Sequence, residues 1–182
     1  MSEGSYRVGV LGATGAVGST ILEILVERDF PVSEIVPFAS ERSAGKKIEV
    51  SGKELECVVP SDESIQGIDI LISSAGGSVS EVWAPKFVEA GAVVVDNTSF
   101  WRMHEDVPLV VAGVSSEAAQ HHKGIVANPN CTTMVMMMAL APLVGRGSAE
   151  TRALGGGGHG FSWCRGSSGS RSAGQSCSSS AY

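Results

Sequence analysis

The sequence predicts a doubly wound α/β domain on a mostly parallel sheet (residues 1–144), followed by a disordered Gly/Ser-rich tail (145–182). Three observations carry this. Short apolar runs rich in Val and Ile alternate with stretches whose apolar residues recur at helical spacing, the pattern of strands joined by crossover helices. The first such run ends directly in a glycine-rich turn. Branched apolar residues also stop abruptly, since all 22 valines and all nine isoleucines lie at or before Val144.

The elements follow in order. Tyr6–Leu11 is a short β-branched run and reads as a buried strand. Gly12-Ala13-Thr14-Gly15-Ala16-Val17-Gly18 comes next, and then Ile21, Leu22, Leu25 and Val26 mark one face of a helix ending near Arg28. Glu34–Ala39 is the second strand, closed by the polar turn Ser40-Glu41-Arg42-Ser43. Lys47–Val59 alternates enough for a small hairpin around Ser51-Gly52, and Ile68–Ser73 is a buried strand followed by Gly76-Gly77. Val79–Ala90 reads as a helix with Gly91 as its cap. Val93–Asp96 and Leu109–Val111 are further strands, and Ser115–Lys123 holds a short helix behind possible serine caps. Ile125–Asn128 leads into Pro129-Asn130-Cys131-Thr132-Thr133, and Met134–Leu143 reads as a buried apolar helix.

Residues 145–182 contain ten Gly and ten Ser but no Val, Ile or Met, too little apolar surface to offset the entropy of ordering. Two readings stay open for this tail. It is a flexible extension, or it is an out-of-frame reading of GC-rich codons.

The chain has 182 residues, of which 43% are hydrophobic and 18% charged, with a net charge of −6. An acidic balance argues against a nucleic-acid surface. No apolar run approaches the roughly 20 residues that span a bilayer, and the first residues lack a signal-peptide pattern. Cys57, Cys131, Cys164 and Cys177 show neither CxxC pairing nor metal-ligand spacing, so no metal is expected. A cytoplasmic protein is the expectation. His104, His121 and His122 read as solvated.

A strand, a glycine-rich turn and a helix form a dinucleotide-binding unit, because glycines let the backbone approach a pyrophosphate seated at the helix N-terminus. The spacing here is G-x-x-G-x-x-G rather than the strict G-x-G-x-x-G, so a ligand-free βα turn is the competing reading. The end of the second strand offers both Glu41, suited to ribose hydroxyls, and Arg42, suited to a 2′-phosphate with Ser40 and Ser43 beside it. NADP is favoured. Asn128–Thr133 sets a thiol between a strand end and a helix start, where a sulfur makes a good nucleophile and main-chain N–H groups can hold an oxyanion. The plain alternative for Cys131 is a small buried hydrophobe. Beside a hydride carrier, the thiol suits aldehyde dehydrogenation with acyl transfer to phosphate. Cys57 reads as inert.

Five motifs in order resemble aspartate-semialdehyde dehydrogenase: Val8–Val17, Ser40–Lys46, Ser73–Gly77, Asp96–Met103 and Asn128–Thr133. The likeness runs from Tyr6 to Leu143. It implies a Rossmann-like NADP-binding half and NADPH-dependent reductive dephosphorylation of L-aspartyl 4-phosphate to L-aspartate 4-semialdehyde, on the route to lysine, methionine, threonine and isoleucine. It further implies that Cys131 forms the acyl-thioester. Gly12, Ala13, Thr14, Gly15, Ala16 and Val17 would hold the pyrophosphate, and Ser40, Arg42 and Ser43 the 2′-phosphate. Ser73 and Gly76 would lie beside the adenosine or nicotinamide part. Arg102 would bind the substrate phosphate, with Asn97 and Asn130 nearby, and a full-length enzyme would be a homodimer.

Departures from the family pattern are equally specific. Its members are about twice as long, and the substrate-binding Gln and Arg and the general-base His of their second half match nothing here. His159 and Gln175 fit no motif, and Ala112-Gly113 stands where Pro-Glu is often seen. The expectation is therefore a chain with little or no turnover of its own, since loss of a general base alone removes roughly 10²–10⁴-fold. A stand-alone NADP-binding module, or a non-catalytic subunit, is the alternative.

Overall fold

The computed structural model describes residues 5–143. The tail readings and His159, Cys164, Gln175 and Cys177 lie outside the described residues. Five parallel strands form the central sheet: β1 (Tyr6–Leu11), β2 (Val32–Phe38), β5 (Ile70–Ser73), β6 (Val93–Asp96) and β7 (Ile125–Ala127), in the order β2-β1-β5-β6-β7. Between β2 and β5 the chain makes the antiparallel hairpin β3 (Lys47–Val50) and β4 (Lys53–Glu56). Ser51 and Gly52, both at positive φ, turn it as the sequence predicts.

Burial on both faces explains the near-continuous apolar strands. On one face α1 (Ala16–Glu27) sets Leu22 and Leu25 against Val8 and Val10, with Val50 of the hairpin. On the other, α2 (Gly77–Glu89) packs Ala84 and Phe87 onto Phe38, Leu71 and Val94. Phe38 and Phe87 meet edge to face, ring centroids 5.3 Å apart.

Both helices close the same way. The Gly91 N–H donates to the Val88 carbonyl and the Ala92 N–H to that of Phe87, with Gly91 left-handed as its cap role requires. After α1 the matching bonds run from Asp29 to Val26 and from Phe30 to Leu25, and here a non-glycine residue sits at φ +48°.

Three expectations need correction. Leu109–Val111 is not a strand but a single bridge from Leu109 to Ala127, since Pro108 has no N–H to extend the ladder and Gly113 turns the chain away at φ +80°. Ser115–Lys123 narrows to a 3-10 turn at Ser116–His121, with no side-chain cap on it. The last helix, α3 (Cys131–Leu140), starts three residues early and is not buried: among its residues only Met137 is, while Val135 is 75% exposed. The helix is apolar around its whole circumference, and only part of it is covered. Of the histidines, His104 and His121 are exposed, whereas half-buried His122 accepts the Gly124 N–H on Nδ1.

At Gly18 a Cβ would overlap the Gly12 carbonyl oxygen and fall 2.8 Å from Ala13 Cα. Gly18→Ala is expected to cost about 2–3 kcal/mol by urea unfolding. Asp29→Gly relieves a left-handed side chain and is expected to stabilise by about 0.5–1 kcal/mol in the same assay.

Candidate active site

Parallel strands deliver their carboxyl ends to one edge of the sheet, so the loops leaving them follow the strand order. Along that edge stand Ser40–Ser43 after β2, the glycine turn after β1, Gly76 after β5, Asn97–Arg102 after β6 and Asn128–Cys131 after β7. The strand order reverses between β1 and β5, the place where open α/β sheets bind ligands.

At that switch point the two turns touch. Gly12 has φ +89°, and a Cβ on it would come within 3.0 Å of the Ala75 main chain. The Gly12 and Ala13 N–H groups both donate to the Phe38 carbonyl (2.9 and 3.1 Å), which fixes the turn to the end of β2. Thr14, Gly15, Ala16 and Val17 are exposed. Gly15 is the N-cap of α1 and supplies no side-chain bond, and the first turn has no acidic residue. Gly76, at φ +98°, caps α2 in the same way, again without a side-chain acceptor or an acid in the first turn. Two positive helix ends therefore lie side by side, and a pyrophosphate fits such a place.

Ser73 is fully buried at the end of β5, and its Oγ has no hydrogen-bond partner among the described residues. Ser40, Glu41 and Arg42 are exposed and Ser43 half-buried, on a single 3-10 turn at Glu41–Ser43. Arg42 forms no ion pair among the described residues. An exposed guanidinium between two hydroxyls has the chemistry for a 2′-phosphate.

At the far end of the edge, Arg102 is half-buried and held by two main-chain carbonyls. Its Nε–H donates to Asn128 O (2.8 Å) and its Nη2–H to Asn97 O (3.0 Å). No carboxylate pairs with it among the described residues. Of five guanidinium donors two are used, leaving a cation able to grip an oxyanion. Asn97 thus meets Arg102 through its backbone rather than its side chain. Asn130 caps α3: its Oδ1 accepts the Thr132 N–H (2.9 Å) and the Thr132 hydroxyl (2.5 Å). Cys131 is the first residue of α3 and exposed, with Sγ 3.8 Å from Asn130 Oδ1.

Sequence reasoning missed what lies beneath Arg102. Asp96 is fully buried, and its carboxylate accepts from the Thr98 N–H (2.8 Å), the Thr98 hydroxyl (2.6 Å) and the Ser80 hydroxyl. Ser80 Oγ in turn accepts the Trp101 Nε1–H (3.0 Å). The signal available was a carboxylate ending the apolar run Val93–Asp96 where a strand enters the core.

The two described cysteines differ chemically. Burial pushes the Cys57 thiol above its ordinary value, against a smaller opposing pull from Lys46. At pH 8, iodoacetamide followed by peptide mass mapping should label Cys131 at least about tenfold faster than Cys57.

Residues 7–122 match the family model described as semialdehyde dehydrogenase, NAD binding domain. The chain is 53% identical over 141 residues to an aspartate-semialdehyde dehydrogenase of Aquifex aeolicus, covering 76% of this chain and 42% of that protein. It is similar to the structure of aspartate semialdehyde dehydrogenase II from Vibrio cholerae complexed with ASA, with TM-score 0.74 and 46% identity over 77% of this chain and 46% of that one. A Candida albicans aspartate semialdehyde dehydrogenase with NADP gives TM-score 0.57 and 26% identity over 78% and 47% of the two chains. The chain spans about 40% of the length of the curated relatives it matches. Matched by that family model over more than half of its length, the chain belongs to the semialdehyde dehydrogenase family.

Proposed function

We propose that the chain carries the cofactor-binding and nucleophile-bearing half of an aspartate-semialdehyde dehydrogenase. One observation carries the reading: a guanidinium, two uncapped helix ends, a second guanidinium and a thiol succeed one another along a single sheet edge. Neighbouring strands are about 4.8 Å apart, so the five loops span roughly 20 Å, room for an extended dinucleotide with a small substrate beyond it. In this reading Thr14–Val17, with Gly12 and Ala13 shaping the turn, hold the pyrophosphate of NADP. Arg42, Ser40 and Ser43 take its 2′-phosphate, and Ser73 and Gly76 flank the rest.

Cys131 Sγ attacks the acyl carbon of L-aspartyl 4-phosphate. The carbon–oxygen bond to phosphate breaks, phosphate leaves with the electron pair, and an acyl-thioester remains on Cys131. Arg102 binds the phosphate as it departs, its free N–H donors aimed at charge that grows in the transition state. Asn130 orders the first turn of α3 and so sets the direction of the sulfur. When bound, a reduced nicotinamide supplies the hydride that takes such a thioester to the aldehyde level. L-aspartate 4-semialdehyde and inorganic phosphate are the products, and the full-length protein acts as a cytoplasmic homodimer. The residues that orient the substrate amino acid and act as general base match nothing in this chain, so by itself it turns over weakly or not at all.

Cofactor choice is tested by fluorescence titration with NADPH and NADH. Arg42→Ala should weaken NADPH binding about 10–100-fold and leave NADH binding within about twofold. Equal losses for both would remove Arg42 from the 2′-phosphate. For the thiol, intact-mass measurement after mixing with L-aspartyl 4-phosphate should show an aspartyl adduct that Cys131→Ser abolishes while NADPH binding persists. An adduct surviving in Cys131→Ser would contradict the assignment.

A further inference from the structure

We propose that Asp96 is the positioning residue for Arg102, acting through Ser80 and Trp101. A carboxylate with no exposed surface and no cation beside it among the described residues is costly to keep. Ending a strand does not need one. What a carboxylate adds is that it only accepts, so every group facing it must donate. The Ser80 hydroxyl proton is therefore committed to Asp96 Oδ2, which leaves Ser80 Oγ as the acceptor for the Trp101 indole N–H. The Thr98 N–H and hydroxyl close on Oδ1. Thr98 directly, and Trp101 through Ser80, are thereby tied to one side chain just ahead of Arg102.

The main chain completes a ring. The Asp96 carbonyl accepts the Asn128 N–H at 2.7 Å, and the Asn128 carbonyl accepts Arg102 Nε–H at 2.8 Å. The path runs from the Asp96 carboxylate to Ser80, to Trp101, along the chain to Arg102, to Asn128, and back to Asp96. The other pin on the guanidinium is the carbonyl of Asn97, whose own N–H is held by Ser73 O at 2.9 Å. Two carbonyls aim the guanidinium, and the position of each is set next to or by Asp96. Any ligand of Arg102 thus meets a cation whose direction is fixed before binding, which lowers the entropy lost on binding. The naming of phosphate as that ligand rests on the function proposed above. The positioning role does not.

The direct readout is solvent exchange of the Arg102 Nε–H in the full 182-residue chain, measured by 15N NMR. Arg7 is an internal control, because its Nε–H is bonded to Glu34 Oε2 at the opposite end of β1. Trp101→Phe keeps a ring and deletes one donor. It should speed Arg102 exchange about five- to tenfold with Arg7 unchanged, and weaken inorganic phosphate binding by a similar factor with NADPH binding unchanged. Asp96→Asn replaces one of the two acceptor oxygens by an NH2 donor; with Oδ1 kept on the two Thr98 donors, that NH2 faces Ser80 in place of its acceptor, and the change should act more strongly. If Asp96→Asn does not fold, Trp101→Phe alone decides. Arg102 exchange within about twofold of wild type in Trp101→Phe, or an equal acceleration at Arg7, overturns the proposal. If phosphate never slows Arg102 exchange in the wild-type chain, the substrate reading of Arg102 fails, and the exchange comparison still decides the role of Asp96.

Discussion

The parallel pairing of β1 with β5, of β5 with β6 and of β6 with β7 is the constraint on which everything else rests. Because every strand of the central sheet runs the same way, every following loop is delivered to one edge, and residues as far apart in sequence as Gly12 and Ala75 become neighbours. The pairing has a steric condition at its centre. The turn after β1 lies against the turn after β5, and α1 lies against the turn after β1, at distances that Gly12 and Gly18 permit and larger residues would not. Phe38 fastens the same point from the side, through the carbonyl that receives the Gly12 and Ala13 amides. One compact junction thus holds sheet, first helix and both turns together.

That junction also separates two kinds of surface. Around the glycine turn and Gly76, the uncapped ends of two helices supply main-chain N–H groups, and Lys46 lines the cavity beside Ala13 and Thr14. Around Arg102 and Cys131 the site is built from side chains, with a buried carboxylate network below and an exposed thiol above. The exposed apolar residues of α3 belong to neither. Val135 and Met138 are exposed on it, and Met103 is exposed on the loop carrying Arg102.

Much of this was legible in the residues. Alternating apolar runs located β1, β5, β6 and β7, and glycine at the right offset located both the turn after β1 and the cap at Gly91. Reading failed where one local fact outweighed the pattern. Leu109–Val111 has strand composition, but Pro108 and Gly113 bracket it and a single bridge is all that forms. Met134–Leu143 is apolar enough to be buried, yet burial depends on a partner, which composition does not reveal. The helix begins at Cys131 because the Asn130 side chain caps it, a role that the family likeness, which places Asn130 near phosphate, does not suggest. Arg102 was legible through family likeness, whereas the Asp96–Ser80–Trp101 relay was not, since its members lie on β6, on α2 and on the loop after β6 and meet only in three dimensions.

The most direct test of the order of sites along the edge is a backbone chemical-shift map of the chain titrated with NADP⁺. Perturbations should run along the edge from residues 40–43 through 12–17 and 73–77 and reach Cys131, where the nicotinamide end of the dinucleotide must lie. Perturbations confined to the hairpin or the α3 surface, or none at saturating NADP⁺, would contradict the account at its centre.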